Sequence, residues 1–240
     1  MTPPSPRMNC GSRDFYFFPE DGREDGAIAV EALSSGRNFI AEVSTLQSGV
    51  WSARAVAEIE LLDPSGYVTD ILPPVSGKVY MRTSTDCLLE LNLVTMNISV
   101  LQLPDRVRTG GNFKLSCRQD LGLFLIHAEG ALFTVWHNEK GSNGKCNWKL
   151  VDGPVRVHEA WNRGKDVEVL GADVNHEYVF LALKDPLVLI SVHMTRRTEK
   201  VYDNMEFHYM DSVKISPFMM IWPPIFPALS DENNQEGHLL

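Results

Sequence analysis

The chain has 240 residues, 44% hydrophobic and 22% charged, with a formal charge of −9 at pH 7. That is enough apolar content for a sizeable buried core, and a charge that argues against a phosphate-backbone partner, which needs clustered Lys and Arg. No window of about 18 uninterrupted apolar residues suggests a membrane-spanning helix, the N-terminus MTPPSPR lacks the apolar core of a secretory signal, and four scattered cysteines without C-x-x-C spacing fit reduced thiols in the cytosol or nucleus.

Residues 1–13 are Pro-rich and expected to be disordered. Asp14 to Phe18, Ala27 to Leu33 and Arg37 to Thr45 read as strands of a first repeat, although Gly22, Gly26 and the carboxylates between them weaken the pattern. Ala53 to Leu62 has helical composition but lies between strand patterns, so it is expected to end one repeat and begin the next. The stretch 63–77 (DPSGYVTDILPPVSG) reads as a long loop. Lys78 to Thr83 is then expected to pair with Cys87 to Leu93 across Ser84-Thr85-Asp86, whose residues favour a tight reversal.

The clearest stretch runs from Leu121 to Val151: LGLFLIHA, the turn Glu129-Gly130, ALFTVWH, a polar loop, and NWKLV. Two apolar runs that meet at a Gly-containing turn predict a hairpin, and the third run makes a meander. Leu123 and Leu125 point one way and Phe124 and Ile126 the other, while Leu132, Phe133, Val135 and Trp136 fill both sides of the partner. A sheet with one wet face would alternate apolar and polar residues. These strands must therefore be covered above and below.

After a second long loop at 153–167 (GPVRVHEAWNRGKDV), Tyr178 to Leu183 is expected to pair with Leu187 to Val192. Turns between an apolar strand and the next one outward recur at Gln47, Thr95, Ser142 and Arg196, a period of about 50 residues, as four-stranded propeller blades produce. No segment keeps a 3.6-residue apolar period, so almost no helix is expected. The fold class is all-β: a β-propeller-like array of about four small antiparallel sheets over 14–229, an incomplete or open ring, followed by a disordered acidic tail at 230–240.

Catalytic and metal motifs fail on spacing. His158-Glu159-Ala160-Trp161-Asn162 begins like the zinc helix H-E-x-x-H, but Asn162 replaces the second His. The Gly-rich run ending at Lys145 lacks the first Gly and the trailing Ser or Thr of a phosphate loop. Asp173 to Glu177 lacks the Gly and distant Glu of a calcium loop. His127, His137 and His193 sit on strands beside apolar residues and read as structural, and no Ser lies in a G-x-S-x-G elbow. Neither a catalytic group, a metal site nor a cofactor is therefore expected. Trp51, Trp136 and Trp148 fall at outer-strand positions of successive repeats and read as packing between sheets. Trp161 lies instead in a polar loop, and there His158, Glu159, Trp161 and Arg163 are the candidate binding residues, since aromatic and Arg side chains on exposed loops are enriched at hot spots.

The run Ser216-Pro217-Phe218-Met219-Met220-Ile221-Trp222-Pro223-Pro224-Ile225-Phe226-Pro227, with Leu121-Gly122-Leu123-Phe124, Asn147-Trp148-Lys149-Leu150-Val151 and the segments 43–52 and 78–105, resembles the F-box-associated β-propeller of a large family of grass F-box proteins. The resemblance covers roughly 14–229. It implies a substrate-recognition subunit of a cullin-type ubiquitin ligase, whose F-box docks on a Skp1-type adaptor while the propeller holds a protein target. No F-box opening L-P-x-x-[LI] precedes Asp14, so these residues alone are not expected to bind the adaptor. The expected function is a non-enzymatic protein-interaction domain without nucleic-acid or membrane partners. The alternatives are a propeller enzyme with a central-channel site, for which Ser116, Arg118, Glu168 and Asp173 are the few inner-strand polar groups, or a lectin-like carbohydrate binder.

Overall fold

In the computed structural model, residues 12–19, 26–52, 55–64, 66–107, 111–118, 121–140, 146–158, 166–173, 177–184 and 187–202 are described. They form four antiparallel sheets and no helix. The first sheet comprises β1 (Ser12–Pro19), β2 (Ala27–Ser35), β3 (Asn38–Gln47), the short β4 (Val50–Trp51) and β5 (Ala55–Glu60), with β5 hydrogen-bonded to β3. The second runs β6 (Val68–Ile71), β7 (Lys78–Thr83), β8 (Leu88–Asn92) and β9 (Asn97–Leu101). The third is β10 (Phe113–Arg118), β11 (Gly122–Glu129), β12 (Leu132–Lys140) and β13 (Cys146–Arg156). The fourth is β14 (Glu168–Ala172), β15 (Tyr178–Lys184), β16 (Leu187–His193) and β17 (Thr198–Tyr202).

In the second, third and fourth sheets each strand pairs with the next in sequence, giving meanders; the first does so from β1 to β4 and then returns β5 to the far part of β3, and the sheets follow one another along the chain. Three core clusters lie between them. Val30, Phe39 and Ala41 of the first sheet meet Val79, Met81, Leu89 and Leu91 of the second. Tyr80 and Leu88 meet Phe113, Leu123 and Leu125 of the third. Phe124, Ile126, Phe133 and Val135 meet Val179, Leu181 and Ile190 of the fourth. Along β11, odd positions enter one core and even positions the other, which is the two-faced burial expected from LGLFLIHA. The first strands β10 and β14 lie side by side, as do the last strands β5 and β9, so the sheets fan from an inner to an outer edge in an open, propeller-like arc.

Single side chains bolt neighbouring sheets together through backbone groups. Asn112 donates from Nδ2 to Val167 O at 2.7 Å and accepts from Val169 N–H at 3.0 Å, joining the third sheet to the fourth. Arg82 of β7 donates to Phe113 O and Gly111 O, both at 2.7 Å, and its guanidinium stacks 3.8 Å from the Phe113 ring centre. Asp86 holds that guanidinium in place at 2.5 Å. Asp14 accepts from Val68 N–H at 3.4 Å, linking β1 to β6. A buried backbone group left unpaired is costly, so these bonds fix the stacking as well as the spacing of the sheets.

Several boundaries differ from expectation. β1 starts at Ser12, so residues 12–13 belong to the fold; the charged head of Arg13 pairs with Glu31 on β2. Residues 55–60 close the first sheet and begin nothing. The second sheet starts at β6, inside the stretch expected to be a loop, and Val75 bridges back to Lys78. β13 runs on to Arg156, which shortens the second long loop to 157–167. The tight turn of the central hairpin is Gly130-Ala131, one residue later than expected, with Gly130 at φ +60°. Residues 1–11 and 203–240, including the whole Trp-Pro-Pro run, lie outside the described residues.

Candidate functional site

The chain leaves β9 at Leu101 and makes a turn in which Val107 N–H bonds to Pro104 O at 2.8 Å. Leu103 and Val107 are buried in the core between the second and third sheets, so the turn is planted by its two apolar ends and presents Asp105 and Arg106 outward. Opposite stand Trp136 on β12 and Trp148 on β13. Trp136 pairs with Leu150, and Trp148 with Asn138, so both indoles lie on the same face of the hairpin as diagonal neighbours. The register shifts between Val135 and Trp136, and an irregularity of this kind twists an outer strand. Gln102 to Arg106, Trp136, Asn147 and Trp148 together enclose an open cleft of about 430 Å³.

The hydrogen-bond inventory decides what this cleft can do. Trp148 Nε1–H donates to Gln102 O at 2.6 Å, which ties the turn to β13, and Trp136 Nε1–H donates to Thr134 Oγ1 at 3.1 Å. Both polar tips are used within the fold, so what the indoles offer a ligand is ring surface. Arg106 stands exposed at the mouth and adds a cation, and Asn147 completes the rim. The expectation that Trp136 and Trp148 pack between sheets is met, since both rest partly buried against the core there. Trp51 of β4 packs edge-on to Phe17 with ring centres 6.4 Å apart.

The loop that carries the expected binding residues is held at its neck. Val157 N–H bonds to Ala131 O at 3.0 Å and Val167 N–H to Gly130 O at 2.9 Å, so the segment leaves and returns at one hairpin turn. Both valines are buried between the third and fourth sheets. His158 is exposed, and its backbone N–H donates to Glu199 Oε1 at 3.0 Å. Glu159, Trp161 and Arg163 lie outside the described residues, so no geometry joins them to His158.

The other polar groups singled out in the sequence lie on strands and at turns. Ser116 and Arg118 are on β10 and Glu168 on β14, and Asp173 accepts the Tyr178 N–H at 2.8 Å, closing the turn between β14 and β15. His137 stacks on Phe124 with ring centres 4.5 Å apart, and His193 Nδ1 accepts from Arg196 N–H at 3.3 Å. Burial lowers the His127 pKa, against an opposing pull from Glu129. Burial pushes the Cys87 thiol up and the Cys117 thiol up to about 12, which keeps both protonated and poor nucleophiles. Among the described residues no three His, Cys, Asp or Glu side chains are grouped to hold a metal ion.

Sequence reasoning did not find the cleft. Its walls lie 46 residues apart at the Gln102–Trp148 bond, and only the stacking of two sheets brings them together. The available signal was a Leu-Pro-Asp-Arg turn directly after a strand, together with two tryptophans on adjacent strands.

A profile described as "F-box protein AT5G49610-like, beta-propeller" matches residues 1–226. No curated protein matches the chain. Among solved structures, one described as the complex structure of the fission yeast SREBP-SCAP binding domains is similar over 83% of this chain and 52% of that one, at 13% identity and a TM-score of 0.41.

Proposed function

Because the chain belongs to the F-box protein AT5G49610-like beta-propeller family, we propose that it is a non-enzymatic protein-interaction module that holds a target for a cullin-type ubiquitin ligase in the cytosol or nucleus. The observation that carries the reading is the combination of that family match with a built cleft of aromatic and Arg side chains on a rigid stack of sheets. Recognition surfaces on such scaffolds need no reactive group. They need a shape held by the core and a few anchors. The half-buried thiols, held protonated, and the backbone-bound Asp173 support a recognition role over a catalytic one.

Affinity purification with the tagged chain from plant extract tests the reading. A specific protein partner is expected, and a Skp1-type adaptor is not expected to bind these 240 residues by themselves. Recovery of no specific partner, by a chain shown to be folded by circular dichroism, would overturn it.

A further inference from the structure

We propose that the cleft between the 102–106 turn and the Trp136–Trp148 pair is where the partner is read, and that it takes an extended peptide segment bearing an apolar side chain beside a carboxylate. This rests on the protein-interaction reading above and names the partner chemistry of that surface. The two indoles spend their N–H groups on Gln102 and Thr134, so an apolar side chain laid on their faces leaves no donor stranded. A volume of about 430 Å³ has room for one or two side chains of an extended segment.

Charge selects the other half of the ligand. Arg106 is exposed at the mouth, has no hydrogen-bond or ion-pair partner among the described residues, and is the cation among the residues that line the cleft. Its neighbour Asp105 is already engaged. A guanidinium free of other partners and set beside an apolar floor is where a carboxylate gains a charge-assisted fork.

The test is panning of a library of short random peptides on the whole chain and, in parallel, on Arg106→Glu. The wild-type chain should enrich peptides with Asp or Glu next to Leu, Ile, Pro or an aromatic residue. Arg106→Glu should enrich Lys or Arg in place of the carboxylate. A synthetic peptide from the wild-type pool should lose about tenfold in affinity or more with Arg106→Glu. It should lose less with Trp148→Phe, which keeps a ring but drops the bond to Gln102, both variants being checked for fold by circular dichroism. No enrichment, equal binding by Arg106→Glu, or capture of oligosaccharides in place of peptides overturns the proposal. A partner recovered from extract that binds both variants as tightly as wild type would sink the cleft and leave the interaction role standing. Failure to recover any partner would sink the role, and the peptide selection would still judge the cleft.

Discussion

β11 at the centre of the array and β1 at its end are both strands rich in large apolar residues, yet their burial differs. On β11, Leu125 and Ile126 are completely buried on opposite faces. On β1, Tyr16 and Phe18 pack into the first core, while Phe15 and Phe17 on the other face are 45% and 57% exposed. The same outer face carries Glu31, paired with Arg13, and Val56 at 54% exposure. A sheet between two neighbours buries both faces, so even its polar His127 is shut in among the apolar side chains. A terminal sheet leaves one face open, and here that face mixes half-exposed aromatics with an ion pair.

The largest expected effect tests that contrast directly. Leu125→Ala removes a side chain from the core between the second and third sheets and should cost about 2–5 kcal/mol, with Ile126→Ala costing a similar amount on the opposite face. Phe17→Ala, on the outer face of the first sheet, should cost about 1 kcal/mol or less. Urea unfolding midpoints compare the three. If Phe17→Ala cost as much as Leu125→Ala, the outer face would be covered by a further layer and the contrast would be broken.

A smaller effect separates packing from bolting. Asn112→Ala leaves Val167 O and Val169 N–H without their side-chain partner and should cost about 1–3 kcal/mol, with little change in apolar burial. Hydrogen exchange should locate the loss in β14 and the neck at Val167, while β7 and β8 of the second sheet keep their protection. A uniform loss over all four sheets would mean that the stack unfolds as one unit and that the bolt has no local role.

How much of this was legible in the sequence follows from where each signal lives. Two-faced burial is written into every residue of Leu123 to Ile126, so the central sheet and the stacked architecture could be read without partners in view. β6 was missed because it is four residues long, carries Thr69 and Asp70, and pairs with β7 across a register shift. A period-2 pattern cannot establish itself in so short a span. The bolts at Asn112 and Arg82 were invisible for a different reason: Asn and Arg in loops and at strand ends are ordinary, and their meaning lies in backbone atoms 29 to 57 residues away. The cleft failed to register in the same way. Its tryptophans were correctly expected to pack, and the sequence did not say that packing would leave one ring surface of each to a neighbouring turn.

The smallest effect asks whether a polar group at a junction behaves as the apolar ones do. His127 lies on β11 opposite Phe113 and Thr134, on the face shared with Leu123 and Leu125, and is only 6% exposed. Burial lowers its pKa, while Glu129 pulls the other way without winning. The folded chain therefore holds the ring neutral at pH values where the unfolded chain, titrating near the usual value of about 6.5, has already bound a proton. Protons then favour the unfolded state. Stability at this position is complete above that value and falls as the pH drops through it towards the lowered folded value. Carboxylates titrate further down, so the measurement is the difference between wild type and His127→Gln in urea midpoint from pH 7.5 to pH 5.5. The wild-type midpoint should fall more steeply, by less than either core substitution moves it. Parallel slopes would mean that the ring finds water or a partner when charged, and that the junction between the second and third sheets is looser at its His127 end than at Leu125.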